Sequence, residues 1–373
     1  MLCDDFDVLW FDCDGVLWVG DVPIPGAVDT LRTLTAAGKR CFFVTNNSQY
    51  SEAEFATKFE RLGFGEFVGP GALWTSVGAC EHYLRQLEPA NGRRGAFVVG
   101  SEGLKDAVST AGYTLVRRDG PANAEERCYS PEEMGHVEVD SSVSVVVVGF
   151  DKMLSYFHIA FAVRCLLENE ACQLIVTNRD FQFPMKGKRL PGTGALVAAI
   201  CTGARREPDV VAAKPSPFML QSIISAAGVA PHRTLMIGDM WSDIAFGHRA
   251  GGRSALVLSG VGTLEDADTW TGDSRPDAVL ADVRGLLDPR HVVRPFSAST
   301  CSDASLATGS ASLGNGSGIT NGAGYLASTL RELQRRGRSR NTSNVRIGAG
   351  LVLAATASVA AFISSQRRGP ARP

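Results

Sequence analysis

Four polar clusters in this sequence could do chemistry together. Asp12 and Asp14 stand one residue apart, between the apolar run Val8-Leu9-Trp10-Phe11 and Gly15. Thr45-Asn46-Asn47 ends a second apolar run, Lys214 lies within Ala212-Ala213-Lys214-Pro215, and Asp239 and Asp243 follow Thr234-Leu235-Met236-Ile237. Two acids at a strand tip repel each other and resist burial. They fit a place where a cation sits between them, or where one attacks while the other moves a proton. A plain Asp-Gly turn would explain the first cluster alone, but it predicts none of the others. Carboxylates without His or paired Cys favour a hard, oxygen-bound cation, and Mg2+ is the natural choice. A lysine and a hydroxyl beside such a cation are what a phosphoryl group needs: neutralised oxygens and an anchored geometry. One Asp can attack phosphorus and carry it as an aspartyl phosphate. The other can protonate the leaving oxygen and then activate water.

A buried parallel sheet has to hold these clusters. The run ending at Phe11 reads as a strand. Residues 27–37 read as a helix, with Val28, Leu31 and Leu34 at helical spacing and Gly38 as the stop. Residues 40–44 read as the next strand. Strand, helix, strand of this length forms a right-handed parallel unit. Both polar clusters then lie at carboxyl ends of neighbouring strands, where open α/β sheets bind ligands. Gly20, Pro23, Pro25 and Gly26 make the stretch after Gly15 a hairpin-like flap. Ser51, with Glu54 three residues on, predicts a capped helix over 51–62. A second α/β layer opens near residue 88. It holds strands over 95–100, 143–150 and 173–177, helices over 155–168 and 193–201, and a long charged loop over 117–140. The expected fold class is therefore α/β, a Rossmann-like parallel-sheet core with an inserted α/β cap domain. The expected divisions are core 1–87, cap 88–208 and core 209–290, with the chain returning to the core at Val210.

The formal charge of -2 leaves no nucleic-acid footprint. Nine scattered cysteines without a C-x-x-C fit a reducing compartment with buried thiols. The acidic N-terminus enters a strand by Val8, which predicts no secretory leader. Residues 291–346 read as a linker that is low in complexity over 297–324 and basic over 331–346. Residues 347–365 carry no charged side chain, and Arg367 and Arg368 follow. This run predicts a C-terminal transmembrane helix. With basic flanks on both sides, the expected location is cytoplasmic-facing, tail-anchored to an organelle membrane, and otherwise cytosolic.

D-C-D-G-V, V-T-N-N-S, A-K-P-S and G-D-M-W-S-D-I resemble, in order, the four motifs of the haloacid dehalogenase superfamily. "DGVLWVGDVPIPGA", "VTNRDFQFP" and "PGTGALVAAI" resemble the branch of 4-nitrophenylphosphatase, phosphoglycolate phosphatase and pyridoxal phosphatase. The resemblance covers about residues 4–285. It implies Asp12 as nucleophile and Mg2+ ligand, and Asp14 as acid/base that gives its backbone carbonyl to the metal. It implies Thr45, Asn46 and Asn47 at the phosphoryl group, with Lys214 stabilising its charge and orienting Asp12. Asp239 would ligate Mg2+, and Asp243 would support the metal directly or from behind its ligands. Close relatives usually space this last pair one residue further apart. Phe181 and Phe183 would lie on a cap loop, and Phe183 would touch substrate. The function implied is Mg2+-dependent hydrolysis of small-molecule phosphate monoesters, with a homodimer formed through the cap. Pyridoxal phosphate or a phosphoprotein stays open as substrate. A rival reading is a catalytically weak, membrane-tethered scaffold, against which the set Asp12, Asp14, Thr45, Lys214 and Asp239 argues. Asp14 also argues against dehalogenation, which has no leaving alkoxide to protonate.

Overall fold

The computed structural model describes residues 2–296 except 90–91, 117–129, 186–187, 217, 221–222, 225–227 and 229. Strand β1 (Val8–Phe11) is buried along its whole length. Apolar side chains on both faces suit a central strand of a parallel sheet covered on both sides. After it come the flap hairpin β2 (Trp18–Val19) and β3 (Val22–Pro23), helix α1 (Ala27–Ala36), β4 (Arg40–Thr45) and helix α2 (Glu52–Arg61). The expected capping box is present: Ser51 and Glu54 bond each other's backbone amides at the start of α2. Strand β5 (Leu73–Thr75) and helix α3 (Ser76–Gln86) complete the first pass.

The second layer contains β6 (Gly95–Val99), α4 (Glu102–Thr110), β7 (Thr114–Leu115), α5 (Pro131–His136), β8 (Val143–Val148), α6 (Tyr156–Glu168) and β9 (Gln173–Val176). Then follow β10 (Gln182–Met185), β11 (Lys188–Pro191), α7 (Thr193–Ala204) and β12 (Val210–Val211). The core resumes with β13 (Thr234–Gly238), α8 (Trp241–Arg249), β14 (Arg253–Val257), β15 (Ala278–Leu280) and β16 (Val292–Arg294). The core sheet has the order β16-β15-β14-β13-β1-β4-β5, and the cap sheet β12-β9-β8-β6-β7. Strand order reverses about β1, whose two parallel neighbours are β13 and β4. Carboxyl ends at such a reversal form a crevice, which is where the four clusters fall.

Four expectations change. Val210 does not begin the return to the core: β12 pairs in parallel with β9 as an edge strand of the cap sheet. Two residues carry too little pattern to assign a sheet, and only the pairing does so. Phe183 lies in a strand, since β10 and β11 form an antiparallel hairpin where a loop was expected. The stretch after residue 290 is not all linker: β16 pairs antiparallel with β15, and the Phe296 ring lies 5.7 Å from that of Phe6. The charged loop contains α5, closed by a capping box between Ser130 and Glu133. The linker over 297–346 and the transmembrane run 347–365 lie outside the described residues, among which no helix is long and apolar enough to cross a membrane.

The flap is fastened by aromatic packing. Trp18 is fully buried, with its ring 4.8 Å from Phe59 and 5.5 Å from Phe64, both edge-on. Such pairs contribute about 0.5–1.5 kcal/mol each beyond area burial. They fix the chain that leaves Asp14.

Candidate active site

Asp12 leaves β1 with its amide bonded to the Ile237 carbonyl of β13, at 2.9 Å. The turn beyond it needs glycine. Gly15 has φ +94°, and a Cβ there would lie 2.3 Å from Asp239 Oδ2. Gly260 is tighter still, with 1.9 Å to the same oxygen. Both close approaches hold the Asp239 carboxylate over the end of β1, where Oδ2 accepts the Val261 amide at 2.7 Å.

Lys214 reaches this point from the cap side. The amides of Ala212 and Ala213 bond the carbonyls of Val176 and Thr177, continuing the cap ladder to within one residue of the lysine. The Lys214 ammonium donates to Asp12 Oδ1 at 2.5 Å, to the Val44 carbonyl at 2.6 Å, and meets Asp243 Oδ1 at 2.8 Å. Asp243 Oδ2 accepts the amides of Asp239 and Met240, so the same residue caps α8. Both Asp243 oxygens therefore already have protein partners. Burial and the charges of Asp243 and Asp14 push Asp12 up to about 8, against the pull of Lys214. Burial, then the charges of Asp12 and Asp243, push Asp239 far above the carboxylate range. Burial opposes the lysine's charge, yet Asp12 and Asp243 together hold its pKa well above the ordinary value.

Oxygens of Asp12, Asp239 and Asp243 lie within 4.8 Å of one another, all buried. Fully ionised, three crowded acids facing one ammonium would carry an excess of negative charge, and the raised pKa values of Asp12 and Asp239 reflect that repulsion together with burial. An all-oxygen donor set with that excess fits Mg2+. Asp14's carboxylate stands outside this group. Its Oδ1 accepts Trp18 Nε1 at 2.8 Å and Lys58 Nζ at 3.2 Å, and its Oδ2 accepts Asn47 Nδ2 at 2.9 Å. The remaining expected residues surround the same space. Thr45 Oγ1 accepts the Asn47 amide at 3.1 Å. Asn46 Nδ2 donates to the Lys214 carbonyl at 3.1 Å and to Asp180 at 3.2 Å. Phe183 meets Phe150 edge-on at 5.5 Å and lines the cavity with it, whereas Phe181 is half exposed and does not.

The cavity measures about 200 Å³ and is lined by Asp12, Thr45, Asn46 and Lys214 as well as by Val19, Tyr50, Phe150, Phe183 and Met185. The cap closes onto it through hydrogen bonds. Asn178 Nδ2 donates to the Asn46 carbonyl at 2.6 Å, the Phe150 amide to Ser48 Oγ at 2.8 Å, and Ser242 Oγ to Asp180 at 3.4 Å. Burial, helped by the charge of Asp243, pushes Asp180 up to about 6, with Lys214 opposing. Sequence reasoning singled out neither Asp180 nor Lys58. Lys58 had a readable signal: it stands between Phe55 and Phe59 on the apolar stripe of α2.

Residues 9–114 match the family described as haloacid dehalogenase-like hydrolase, and residues 211–286 match a second described as HAD-hydrolase-like. Human glycerol-3-phosphate phosphatase is 39% identical over 270 residues, 71% of this chain and 83% of the relative. The chain belongs to the haloacid dehalogenase-like hydrolases. Within that family, chloroplastic phosphoglycolate phosphatase 1A of Arabidopsis thaliana is 34% identical over 292 residues, covering 78% of each chain. A Mycobacterium tuberculosis glycerol phosphate phosphatase, solved in complex with magnesium, superposes with TM-score 0.61 at 29% identity, covering 76% of this chain and 77% of that one. This haloacid dehalogenase-like hydrolase is thus a phosphoric monoester hydrolase, and Mg2+ is its cofactor.

Proposed function

We propose that the enzyme hydrolyses small phosphorylated alcohols, of the glycerol phosphate and phosphoglycolate type, through an aspartyl phosphate on Asp12. The observation that carries this reading is the Lys214 ammonium fixed between Asp12 and Asp243 beneath the cap. Lys214 holds Asp12 Oδ1, and no donor among the described residues meets Oδ2, which is left to attack. As the Asp12–phosphorus bond forms, the ester P–O bond breaks and its electron pair leaves on the alcohol oxygen. That oxygen takes the proton of Asp14. Asp14 next receives a proton from water as the water oxygen attacks phosphorus, and Asp12 leaves as carboxylate with release of phosphate. Mg2+, held by Asp12 and Asp239 with Asp243 behind them, would supply charge neutralisation on the phosphoryl oxygens. Thr45 and Asn46 stand where they can orient the same oxygens. The cavity volume and the names of the relatives support a small substrate.

The test is Asp12→Asn with glycerol phosphate and phosphoglycolate. Turnover is expected to fall on the order of 10³-fold or more, with no acid-stable phosphoprotein trapped on rapid quenching. Full turnover in that variant would sink the mechanism.

The C-terminal run 347–365 is proposed as a membrane tether that leaves the catalytic unit facing the cytoplasm, on its length and lack of charge. Release of the intact chain by alkaline carbonate would defeat that reading. A cap-mediated homodimer is also proposed. Tyr156 and Leu167 stand exposed three turns apart on one face of α6, with exposed Met153 just before it. Light scattering at micromolar concentration, showing a monomer, would remove this proposal.

A further inference from the structure

We propose that Lys58 is the positioning residue for Asp14, selecting which oxygen of that carboxylate moves the proton. The inference rests on the phosphatase reading above. Lys58 is 6% exposed, and its ammonium sits 4.8 Å from the Trp18 ring centroid and 5.8 Å from those of Tyr50 and Phe55. A buried ammonium needs an anionic or π partner to offset its lost hydration. Here the acid it meets is Asp14, at 3.2 Å.

Hydrogen-bond capacity supplies the rest. Each carboxylate oxygen offers two lone pairs. Asp14 Oδ1 already accepts from Trp18 and Lys58 and is full. Oδ2 accepts from Asn47 alone and keeps one lone pair. The proton that Asp14 exchanges in turnover therefore uses Oδ2, the oxygen with room for it. It passes from there to the alcohol oxygen as the ester bond breaks, and Oδ2 takes the next proton from water. Remove the ammonium and Oδ1 regains a free lone pair, so the carboxyl can rotate or carry its proton on the wrong side. The trapping rings make Lys58 dependent on α2 and the flap, so two elements outside the sheet set the aim of the acid.

The experiment compares kcat/KM for glycerol 3-phosphate, whose alkoxide must be protonated to leave, with kcat/KM for 4-nitrophenyl phosphate, whose phenolate leaves without help. In Lys58→Met the glycerol-to-nitrophenyl ratio is expected to fall about 10²-fold, the scale of a general acid's contribution. Lys58→Arg, which restores a cation at the same stem, is expected to restore most of that ratio. Loss of fold or of the phosphoryl site lowers both values together. An unchanged ratio in Lys58→Met would therefore overturn the inference while leaving the phosphatase reading intact. A Lys58→Arg enzyme as unbalanced as Lys58→Met would also overturn it, by assigning the effect to packing. A wild-type enzyme inert on both esters would remove the phosphatase reading and this inference with it.

Discussion

Lys214 shows what one side chain contributes when three acids are buried around a phosphoryl site. Its ammonium is 1% exposed and touches two of the three. Removing one partner of a buried ion pair typically costs about 3–5 kcal/mol, because the remaining charge stays unpaired. Lys214→Met should therefore lower unfolding stability by that amount in urea titrations with EDTA. Millimolar Mg2+ should narrow the deficit, since the cation takes over part of the neutralisation. An equal deficit with and without Mg2+ would contradict the assignment of the acid cluster to the metal. The clusters at Asp12, Thr45, Lys214 and Asp239 were legible in sequence because polar residues at the ends of apolar runs are conspicuous. Lys58 and Asp180 were not, since their partners lie 44 and 134 positions away. Contacts of that range leave no local pattern, and only the odd lysine on the apolar stripe of α2 hinted at one of them.

Among elements, α8 is fastened at both ends by charge. Asp243 caps its start, and His248 near its end bonds Asp277 at 2.7 Å. Burial opposes the His248 charge, but the hydrogen bond and charge of Asp277 outweigh it and raise its pKa above the ordinary 6.5. Burial would raise Asp277, yet His248 holds it below the ordinary 3.8. A raised histidine contributes its full stability below its unfolded pKa and loses it as pH rises through the folded value. A depressed aspartate contributes above its unfolded pKa and loses that as pH falls through the folded one. The pair therefore stabilises most between pH 3.8 and 6.5. Both groups are partly solvated, so about 1 kcal/mol is the expected scale. His248→Gln should show its largest loss of thermal stability near the middle of that window and a smaller loss at pH 8. The elements themselves were read correctly where an unbroken apolar run or a helical period marked them, as in β1, α1 and α2. Reading failed at β12, β16 and the β10–β11 hairpin. None of these is a fully buried apolar run like β1, and what makes them strands is the partner alongside rather than a pattern of their own.

At the scale of the whole molecule, a cation site assembled from the ends of β1 and β13 and the start of α8 exists only in the folded chain. A ligand that binds the folded state alone stabilises it by RT ln(1 + [L]/Kd), about 2.7 kcal/mol at a hundredfold excess over Kd. Mg2+ at that excess should raise unfolding stability by this amount. Asp239→Asn should abolish the shift, and EDTA should abolish hydrolysis. A thermal shift of equal size in Asp239→Asn would place the cation elsewhere. The core-and-cap division was visible in sequence as two successive strand-helix series, but the crossing between them was misplaced, and that crossing has mechanical weight. Lys214 follows directly on Ala212 and Ala213, whose amides are stitched to the cap sheet, while its charge lies on Asp12 at the core. The lysine's own carbonyl accepts from Asn46 of the core, so this stretch is tied to the cap just before the lysine and to the core at it. The counter-charge of the nucleophile therefore sits on the seam itself, and its alignment depends on both sheets at once.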